Sequence, residues 1–230
     1  MKIQAILVGA GVGLRMGDAS SGKLFVPLAG RPLVLHSLST FQDCKLVERI
    51  YLVVNPQDRA RLESEVLPGA SITKLEPLVT GGEERQDSVF NVLRVMRREP
   101  GLVLVHDVAR PLATGDLIQR VVTALERSDG AVPVIPLRDT VKEVAGGWVV
   151  RTWDREKFRA VQTPQGFKLE ALLDAHERAA RERFRVTDDA ALLEHYRYSV
   201  GAVPGDRMNL KVTFPEDVAI AEALLSARES

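Results

Sequence analysis

Short apolar runs alternate with amphipathic stretches along most of the chain. This alternation is typical of a mainly parallel sheet with helices on both faces. Predicted strands cover residues 3–8, 50–54, 102–106 and 131–135. Pro133 weakens the prediction of the fourth strand, because proline has no N–H to donate to a neighbouring strand.

Helical periodicity fills the intervals between these strands. One apolar face, at positions i, i+3, i+4 and i+7, is formed by Val89, Val92, Leu93 and Met96. Further helices are predicted over 117–125 and 169–180, and from about 215 to 225. The pattern therefore predicts one α/β domain over residues 1–230, with a Rossmann-like arrangement of strands and helices.

A β-hairpin interrupts the alternation. Two strand-like runs, 140–144 and 148–152, flank a Gly-Gly turn signal, and we expect them to form an arm at about 137–155. Both tryptophans, Trp148 and Trp153, lie in or beside this hairpin. An isolated hairpin would expose them, so a covering surface is expected, and the simplest one is the same arm of a second copy. The arm therefore predicts a homodimer.

Composition excludes several classes of partner. Lys and Arg number 31 and Asp and Glu also number 31, so no net positive charge favours a nucleic acid. Cys44 is the only cysteine, which excludes an internal disulfide, and the four scattered histidines lack zinc-site spacing. No apolar run approaches the ~20 residues of a membrane span, and the first residues lack a signal-peptide cleavage site. We expect a cytoplasmic protein that binds neither membrane nor nucleic acid.

A glycine-rich loop, residues 9–17, follows the first predicted strand and suits phosphate binding, because glycine lets backbone N–H groups approach the oxygens. A dinucleotide fold would need GxGxxG and an acid after the second strand, which instead ends in Asn55. A P-loop would need a hydroxyl where Leu24 stands. The third interpretation, a nucleotidyltransferase loop, accounts for both Arg15 and Lys23.

Four further segments complete a recognisable set of motifs. They are residues 81–89 (GGEERQDSV), 105–111 (VHDVARP), 163–165 (TPQ) and 209–213 (NLKVT). Together with the glycine-rich loop, they resemble 2-C-methyl-D-erythritol 4-phosphate cytidylyltransferase, a CTP-using family of the non-mevalonate isoprenoid pathway. The resemblance extends over nearly the whole chain and implies a nucleotidyltransferase that releases pyrophosphate.

The resemblance implies a CTP site. Its nucleotide-binding residues would be Gly9, Ala10, Gly11, Gly13, Gly82, Ser88, Asp107 and Ala109. Gly82 and Ser88 would contact the cytosine edge. Asp107 follows a strand, and a carboxylate beside a triphosphate needs an intervening cation, so we predict it as the Mg²⁺ ligand.

The expected chemistry needs no general base, because the attacking phosphate monoester is already largely dianionic at neutral pH. Catalysis then consists of positioning and charge stabilisation. The resemblance assigns the charges to Arg15, Lys23 and Lys211.

The resemblance also implies a polyol phosphate acceptor. Its binding residues would be Arg110, Thr140, Arg155, Thr163, Thr187 and Lys211. Thr187 also fits a helix N-cap. Thr140 and Arg155 would reach a neighbouring subunit's site.

Three other functions compete with this one. A cytidylyltransferase for another acceptor such as ribitol 5-phosphate would share the CTP motifs. A non-catalytic nucleotide-binding module would lack Arg15, Lys23 or Asp107, all of which are present. A nicotinamide-dependent oxidoreductase is disfavoured because the dinucleotide fingerprint fails.

Overall fold

A mixed β-sheet organises the protein, whose computed structural model describes residues 2–11 and 22–229. The strands, in chain order, are β1 (Lys2–Gly9), β2 (Pro27–Leu28), β3 (Arg31–Pro32), β4 (Val47–Val54), β5 (Val79–Thr80), β6 (Gly101–Asp107), β7 (Gly130–Pro136), β8 (Val141–Ala145), β9 (Trp148–Trp153), β10 (Arg159–Val161), β11 (Gln165–Lys168) and β12 (Val200–Pro204). Within the described residues, eight of them form the main sheet, in the order β10-β7-β11-β6-β1-β4-β5 with β12 on the other side of β7.

Strands β6, β1, β4 and β5 pair in parallel, which confirms the predicted parallel centre. Strands β10 and β11 pair antiparallel with β7, and β11 also pairs antiparallel with β6. Strands β2 and β3 form a small separate ladder. The sheet is therefore parallel at β1 and mixed towards β7.

Helices cover both faces of the main sheet. They are α1 (Leu33–Asp43), α2 (Pro56–Arg61), α3 (Arg85–Val95), α4 (Gly115–Ala124), α5 (Leu169–Glu182), α6 (Asp189–His195) and α7 (Glu216–Glu229). A single π-helical turn, Leu62–Val66, continues α2. The longest of these helices, α5 and α7, have 14 residues each, and no described helix has the length and apolar character of a membrane span.

The core consists of two apolar layers, one on each face of the sheet. Ala5 and Leu7 of β1 pack with α1 and α4, whereas Ile6 packs with α3, α5 and α6 on the opposite face. This alternation follows from the two-residue period of a strand whose two faces are both covered. The predicted α/β fold with helices on both faces is confirmed.

Strand β7 forms despite Pro133. The carbonyl of Pro133 accepts from the amide of Gln162 at 2.8 Å. Residue 162 lies in the gap between β10 and β11, the two strands that successively neighbour β7 on this side. The missing N–H of Pro133 thus falls where the neighbouring ladder is interrupted, which explains why the strand tolerates it.

The hairpin is present, with β8 and β9 paired antiparallel. Gly146 and Gly147 form its two-residue turn with φ of 56° and 84°, positive values at both positions, as in a type I′ turn. Trp148 is 80% exposed and is followed by exposed Val149 and Val150. Trp153, also predicted to need a covering surface, is instead partly covered within its own chain.

Candidate active site

A cavity of about 430 Å³ opens at the carboxyl ends of β1 and β6. Val8 and Asp107 are register partners, so these two strand ends are adjacent. Ligands of open α/β sheets bind at this edge. The cavity therefore has the expected position of a substrate site.

The structure brings most of the predicted nucleotide and catalytic residues together around this cavity. Those that line it are Gly9, Ala10, Gly11, Lys23, Gly82, Ser88, Asp107, Ala109 and Lys211. Gly13 and Arg15 lie outside the described residues. Five separate segments of the chain, at residues 9–11, 23, 82–88, 107–109 and 211, thus contribute to one site.

The loop before α3 forms a small polar corner of the cavity. The amide of Gly82 donates to Oγ of Ser88 at 3.1 Å, and Oγ donates its hydrogen to the carbonyl of Glu84 at 3.0 Å. A hydroxyl has one hydrogen and two lone pairs, so Ser88 retains acceptor capacity only. The Ser88 hydroxyl can therefore receive a donor group from a ligand but cannot give it a hydrogen.

Asp107 is held between two cations. Nε of Arg85 donates to Oδ1 at 3.0 Å, and Nζ of Lys211 donates to Oδ2 at 2.7 Å. Burial alone would raise the pKa of Asp107, but Arg85 and Lys211 outweigh burial and hold this pKa well below its ordinary value. Asp107 is therefore a carboxylate at neutral pH.

Lys211 reaches the cavity because its segment is fastened to the β6 side of the sheet. The amide of Val212 donates to the carbonyl of Ala109 at 2.8 Å. The side chain of Asn209, fully buried, donates to the carbonyl of Thr163 at 2.8 Å. These contacts on either side of Lys211 direct its ammonium towards Asp107.

The donor set around Asp107 fits a Mg²⁺ ion that is shared with a nucleotide. Each oxygen of Asp107 accepts one hydrogen bond and has a further lone pair. The described residues contain no cluster of three or more His, Cys, Asp or Glu side chains that could hold a metal by themselves. Mg²⁺ commonly uses one or two carboxylates and completes its shell with phosphate oxygens and water.

Thr163 and His106 form a buried support beneath Asp107. No site role was predicted for His106. Burial lowers the pKa of His106 to about 4, so its ring is neutral at pH 7. Its Nε2 donates to the carbonyl of Arg110 at 3.1 Å, and its Nδ1 accepts from the Thr163 hydroxyl at 3.0 Å. The same hydroxyl accepts from the amide of Asp107 at 3.0 Å. Thr163, predicted to bind the acceptor, is therefore engaged inside the protein.

Apart from Lys211, the other predicted acceptor residues lie outside the lining of the cavity. Arg110 donates to the carbonyls of Asn209 at 2.9 Å and Val161 at 3.3 Å. Arg155 is exposed and donates to the carbonyl of Arg138 at 2.5 Å, which joins the two ends of the arm. Thr140 is exposed at the start of the arm.

Thr187 is exposed and does not cap α6, so the N-cap interpretation was wrong. The cap is Asp188, whose carboxylate accepts from the amide of Ala191 at 3.1 Å. Aspartate caps a helix at least as well as threonine, and the helix begins one residue later than Thr187 would require.

Arg85 is the charged site residue beside Asp107 that sequence reasoning missed. It lies in the quoted motif 81–89 and lines the cavity, but no role was given to it. Its position as the first residue of α3 was a usable signal, since an arginine in a helix's first turn opposes the helix dipole and suggests another partner.

Comparison with known proteins shows the family. The family model described as 2-C-methyl-D-erythritol 4-phosphate cytidylyltransferase matches residues 3–227. A protein of that name from Bacillus mycoides is 42% identical over 224 residues, 97% of this chain and 98% of the relative. Its counterpart from Geobacillus kaustophilus is 41% identical over 228 residues, which cover 99% of each chain.

Solved structures agree with this assignment. The crystal structure of 2-C-methyl-D-erythritol 4-phosphate cytidylyltransferase from Thermus thermophilus has a TM-score of 0.81 at 34% identity and covers 98% of this chain and 100% of that one. The crystal structure of a 4-diphosphocytidyl-2C-methyl-D-erythritol synthase from Anaerococcus prevotii has a TM-score of 0.85 at 29% identity, with 98% of each chain covered. The chain therefore belongs to the 2-C-methyl-D-erythritol 4-phosphate cytidylyltransferase family.

Proposed function

We infer that the protein transfers the cytidylyl group of CTP to 2-C-methyl-D-erythritol 4-phosphate. The products are 4-diphosphocytidyl-2-C-methyl-D-erythritol and pyrophosphate. Membership of the family over nearly the full length carries this inference. The cavity at the carboxyl edge of the sheet, whose lining includes Lys23, Lys211 and Asp107, supports it.

The acceptor phosphate attacks the α-phosphorus of CTP directly and in line. One P–O bond forms to the acceptor oxygen while the bond to pyrophosphate breaks. The acceptor is a dianion at neutral pH, so no side chain needs to remove a proton. Lys23 and Lys211 line the cavity and offset the negative charge that builds up on the phosphates, and we assign Arg15 the same task.

The corner formed by Gly82 and Ser88 selects the base. Ser88 has only acceptor capacity left, because its hydrogen is donated to Glu84. The 4-amino group of cytosine is a donor and satisfies this acceptor, whereas O4 of uracil would face it with a second acceptor. CTP is therefore favoured over UTP.

Mg²⁺ is the proposed cofactor, with Asp107 as its protein ligand. When bound, the ion would neutralise charge on the triphosphate. Arg85 and Lys211 hold the pKa of Asp107 below its ordinary value, so the ligand is ionised at neutral pH.

The acceptor is proposed to bind on the side of Arg110 that faces β10 and the arm, with Thr140, Arg155 and Thr187 around it. The site would be completed by a second subunit in a homodimer. The exposed apolar side chains of Val144, Trp148, Val149 and Val150 on the arm support such an interface, since an uncovered patch of this kind is unusual in a monomer. The cytoplasmic location stays a prediction.

A pyrophosphate-release assay tests the function. Purified protein with Mg²⁺ is given CTP, UTP, ATP or GTP together with 2-C-methyl-D-erythritol 4-phosphate or ribitol 5-phosphate, and the product is identified by mass. We expect the highest kcat/KM for CTP with the methylerythritol phosphate. A higher value for ribitol 5-phosphate would move the protein to the alternative acceptor. Release of no pyrophosphate with any pair would favour the non-catalytic module.

A further inference from the structure

A chain of buried ion pairs leads away from the cavity behind Asp107. Nε of Arg85 donates to Asp107 at 3.0 Å, and Nη1 donates to Oδ2 of Asp189 at 2.5 Å. Oδ1 of Asp189 lies 3.0 Å from Nε2 of His176. The side chains of Asp189 and His176 are each 1% exposed. Arg85 is thus the link between a surface of the cavity and the protein interior.

Three helices on one face of the sheet hold this chain in place. Arg85 is the first residue of α3, Asp189 is the first residue of α6, and His176 lies in α5. The ring of Phe90, on α3, stacks on that of His176 with centroids 5.7 Å apart. Because Asp189 is fixed by His176 on one oxygen, its other oxygen holds the guanidinium of Arg85 in one orientation.

The guanidinium of Arg85 forms ion pairs with two carboxylates, those of Asp107 and Asp189. Burial would lower the pKa of Arg85, but Asp189 and Asp107 outweigh burial and raise this pKa above its ordinary value. Burial would likewise raise the pKa of Asp189, but Arg85 and His176 lower it to about 2. Arg85 therefore remains charged and both carboxylates remain ionised.

Lys211 competes with Arg85 for Asp107. Lys211 contacts the second oxygen of the same carboxylate at 2.7 Å, and its side chain is 45% exposed. A carboxylate that already has one charged partner attracts a second one less strongly, because the first partner offsets part of its charge. Arg85 thus weakens the hold of Asp107 on the Lys211 ammonium.

We propose that Arg85 is a positioning residue for the transfer reaction: by engaging Asp107 it leaves the Lys211 ammonium available to the phosphates of CTP. This proposal rests on the proposed function. It gives Arg85 an effect on turnover that passes through Lys211, in addition to any effect on folding.

The test is a double-mutant cycle in kcat at saturating substrates. Arg85→Gln should lower kcat by about 10- to 100-fold, the range for a group that orients a residue contacting the ligand. In a Lys211→Ala background, Arg85→Gln should lower kcat by less than about threefold, because the residue through which Arg85 acts is already absent. The matched control is Arg185→Gln, which removes an exposed guanidinium paired with Asp87 and Glu84 and should leave kcat unchanged.

Arg85→Gln alone leaves Asp189 buried without its cation, which can prevent folding. The double variant Arg85→Gln/Asp189→Asn removes one positive and one negative charge, and we expect it to show the same loss of kcat relative to Asp189→Asn. Thermal melting confirms that each variant is folded. The proposal would be overturned if folded Arg85→Gln kept kcat within about twofold of the wild type, or if folded Arg85→Gln/Asp189→Asn kept it within about twofold of Asp189→Asn. It would also be overturned if Arg85→Gln lowered kcat by the same factor in the wild-type and Lys211→Ala backgrounds.

The failure of this proposal is distinguishable from failure of the proposed function. The function is judged by which acceptor the wild-type protein uses. The role of Arg85 is judged by ratios measured with that acceptor, whichever it is. Calorimetric titration with CTP and Mg²⁺ adds a readout without turnover, in which Arg85→Gln should weaken binding several-fold in the wild-type background and by much less in the Lys211→Ala background.

Discussion

Oγ of Ser88 accepts the amide hydrogen of Gly82 at 3.1 Å, in a loop where the Ser88 hydrogen is itself donated to a backbone carbonyl. The first prediction follows from the acceptor capacity that remains. CTP should be preferred over UTP by roughly 5- to 150-fold in kcat/KM, which corresponds to about 1 to 3 kcal/mol for a buried polar group left without a partner. Ser88→Ala should reduce this preference, as measured by kcat/KM for both nucleotides.

Ser128→Ala provides a matched control for Ser88→Ala. Its hydroxyl also donates to a carbonyl four residues earlier, that of Ala124 at 2.9 Å, but it does not line the cavity. The preference of the Ser128→Ala variant for CTP over UTP should equal that of the wild type. An unchanged preference in Ser88→Ala as well would show that the base is selected elsewhere.

The second prediction concerns Lys23, which lines the cavity at the start of a short 3₁₀ turn. Lys23→Ala should lower kcat/KM by about 100-fold or more, the scale of one lost donor to the transition-state charge. Steady-state kinetics with both substrates measure the effect. Lys168→Ala, which removes an exposed lysine paired with Asp129, serves as control and should stay within twofold of the wild type. Near-normal turnover by Lys23→Ala would refute its catalytic assignment.

The third prediction concerns Arg155 and the arm. If Arg155 completes the site of a second subunit, mixing Arg155→Ala chains with Lys23→Ala chains should restore activity. One of the two sites in each heterodimer then has both residues, and the other has neither. Activity is measured against mixing ratio after dissociation and reassociation.

A second mixture controls for effects of assembly alone. Lys23 and Lys211 line the same cavity of one chain, so Lys23→Ala mixed with Lys211→Ala should give no recovery. Absence of recovery in the Arg155 mixture, despite heterodimers seen by mass spectrometry, would mean that Arg155 does not act across an interface.

The fourth prediction is a pH dependence of stability that originates from His106. Its pKa is about 4 in the folded protein, against an ordinary value of 6.5, so below pH 6.5 the unfolded chain binds a proton that the folded protein does not. The stability of the fold with a neutral His106 is therefore fully present above pH 6.5, and it declines as the pH falls towards 4. At pH 5 the loss amounts to about 2 kcal/mol.

Urea unfolding at pH 7.5 and pH 5 checks this sign. The free energy of unfolding of the wild type should fall by about 2 kcal/mol more than that of His106→Gln between the two pH values. The variant will be less stable at pH 7.5, because Thr163 loses the acceptor Nδ1. Equal changes with pH in both proteins would exclude His106 as the source.

Local sequence patterns predicted the parallel centre of the sheet, the helices over 89–96, 117–125 and 169–180, and the hairpin. These elements have strong period-2 or period-3.6 patterns or a Gly-Gly turn. Strands β11 and β12 were not predicted, since they have four and five residues and their pairing is set by distant partners. Short helix α6 has seven residues and depends on its Asp188 cap. Such elements are decided by tertiary contacts more than by their own sequence.

The cavity lining was largely predictable because its residues lie in compact motifs. The buried support formed by Thr163 and His106 beneath Asp107 could not be predicted in this way. Thr163 was predicted to bind the acceptor, but a sequence does not show that its hydroxyl lies between the Asp107 amide and His106. The link from Arg85 to Asp189 is invisible for the same reason, since the two residues come together only when α3 and α6 pack on the same face of the sheet.

The contact between Lys211 and Asp107 joins residues separated by 104 positions, and it also sets when the protein becomes competent during its synthesis. β1, β4 and β6 can pair as soon as the first half of the chain has left the ribosome. The nucleotide site, however, stays without the Lys211 ammonium until residue 211 has also been made. A nascent chain that ends before this residue has the Lys23 side of the site but not the Lys211 side, so we expect CTP to stabilise it less than the finished site.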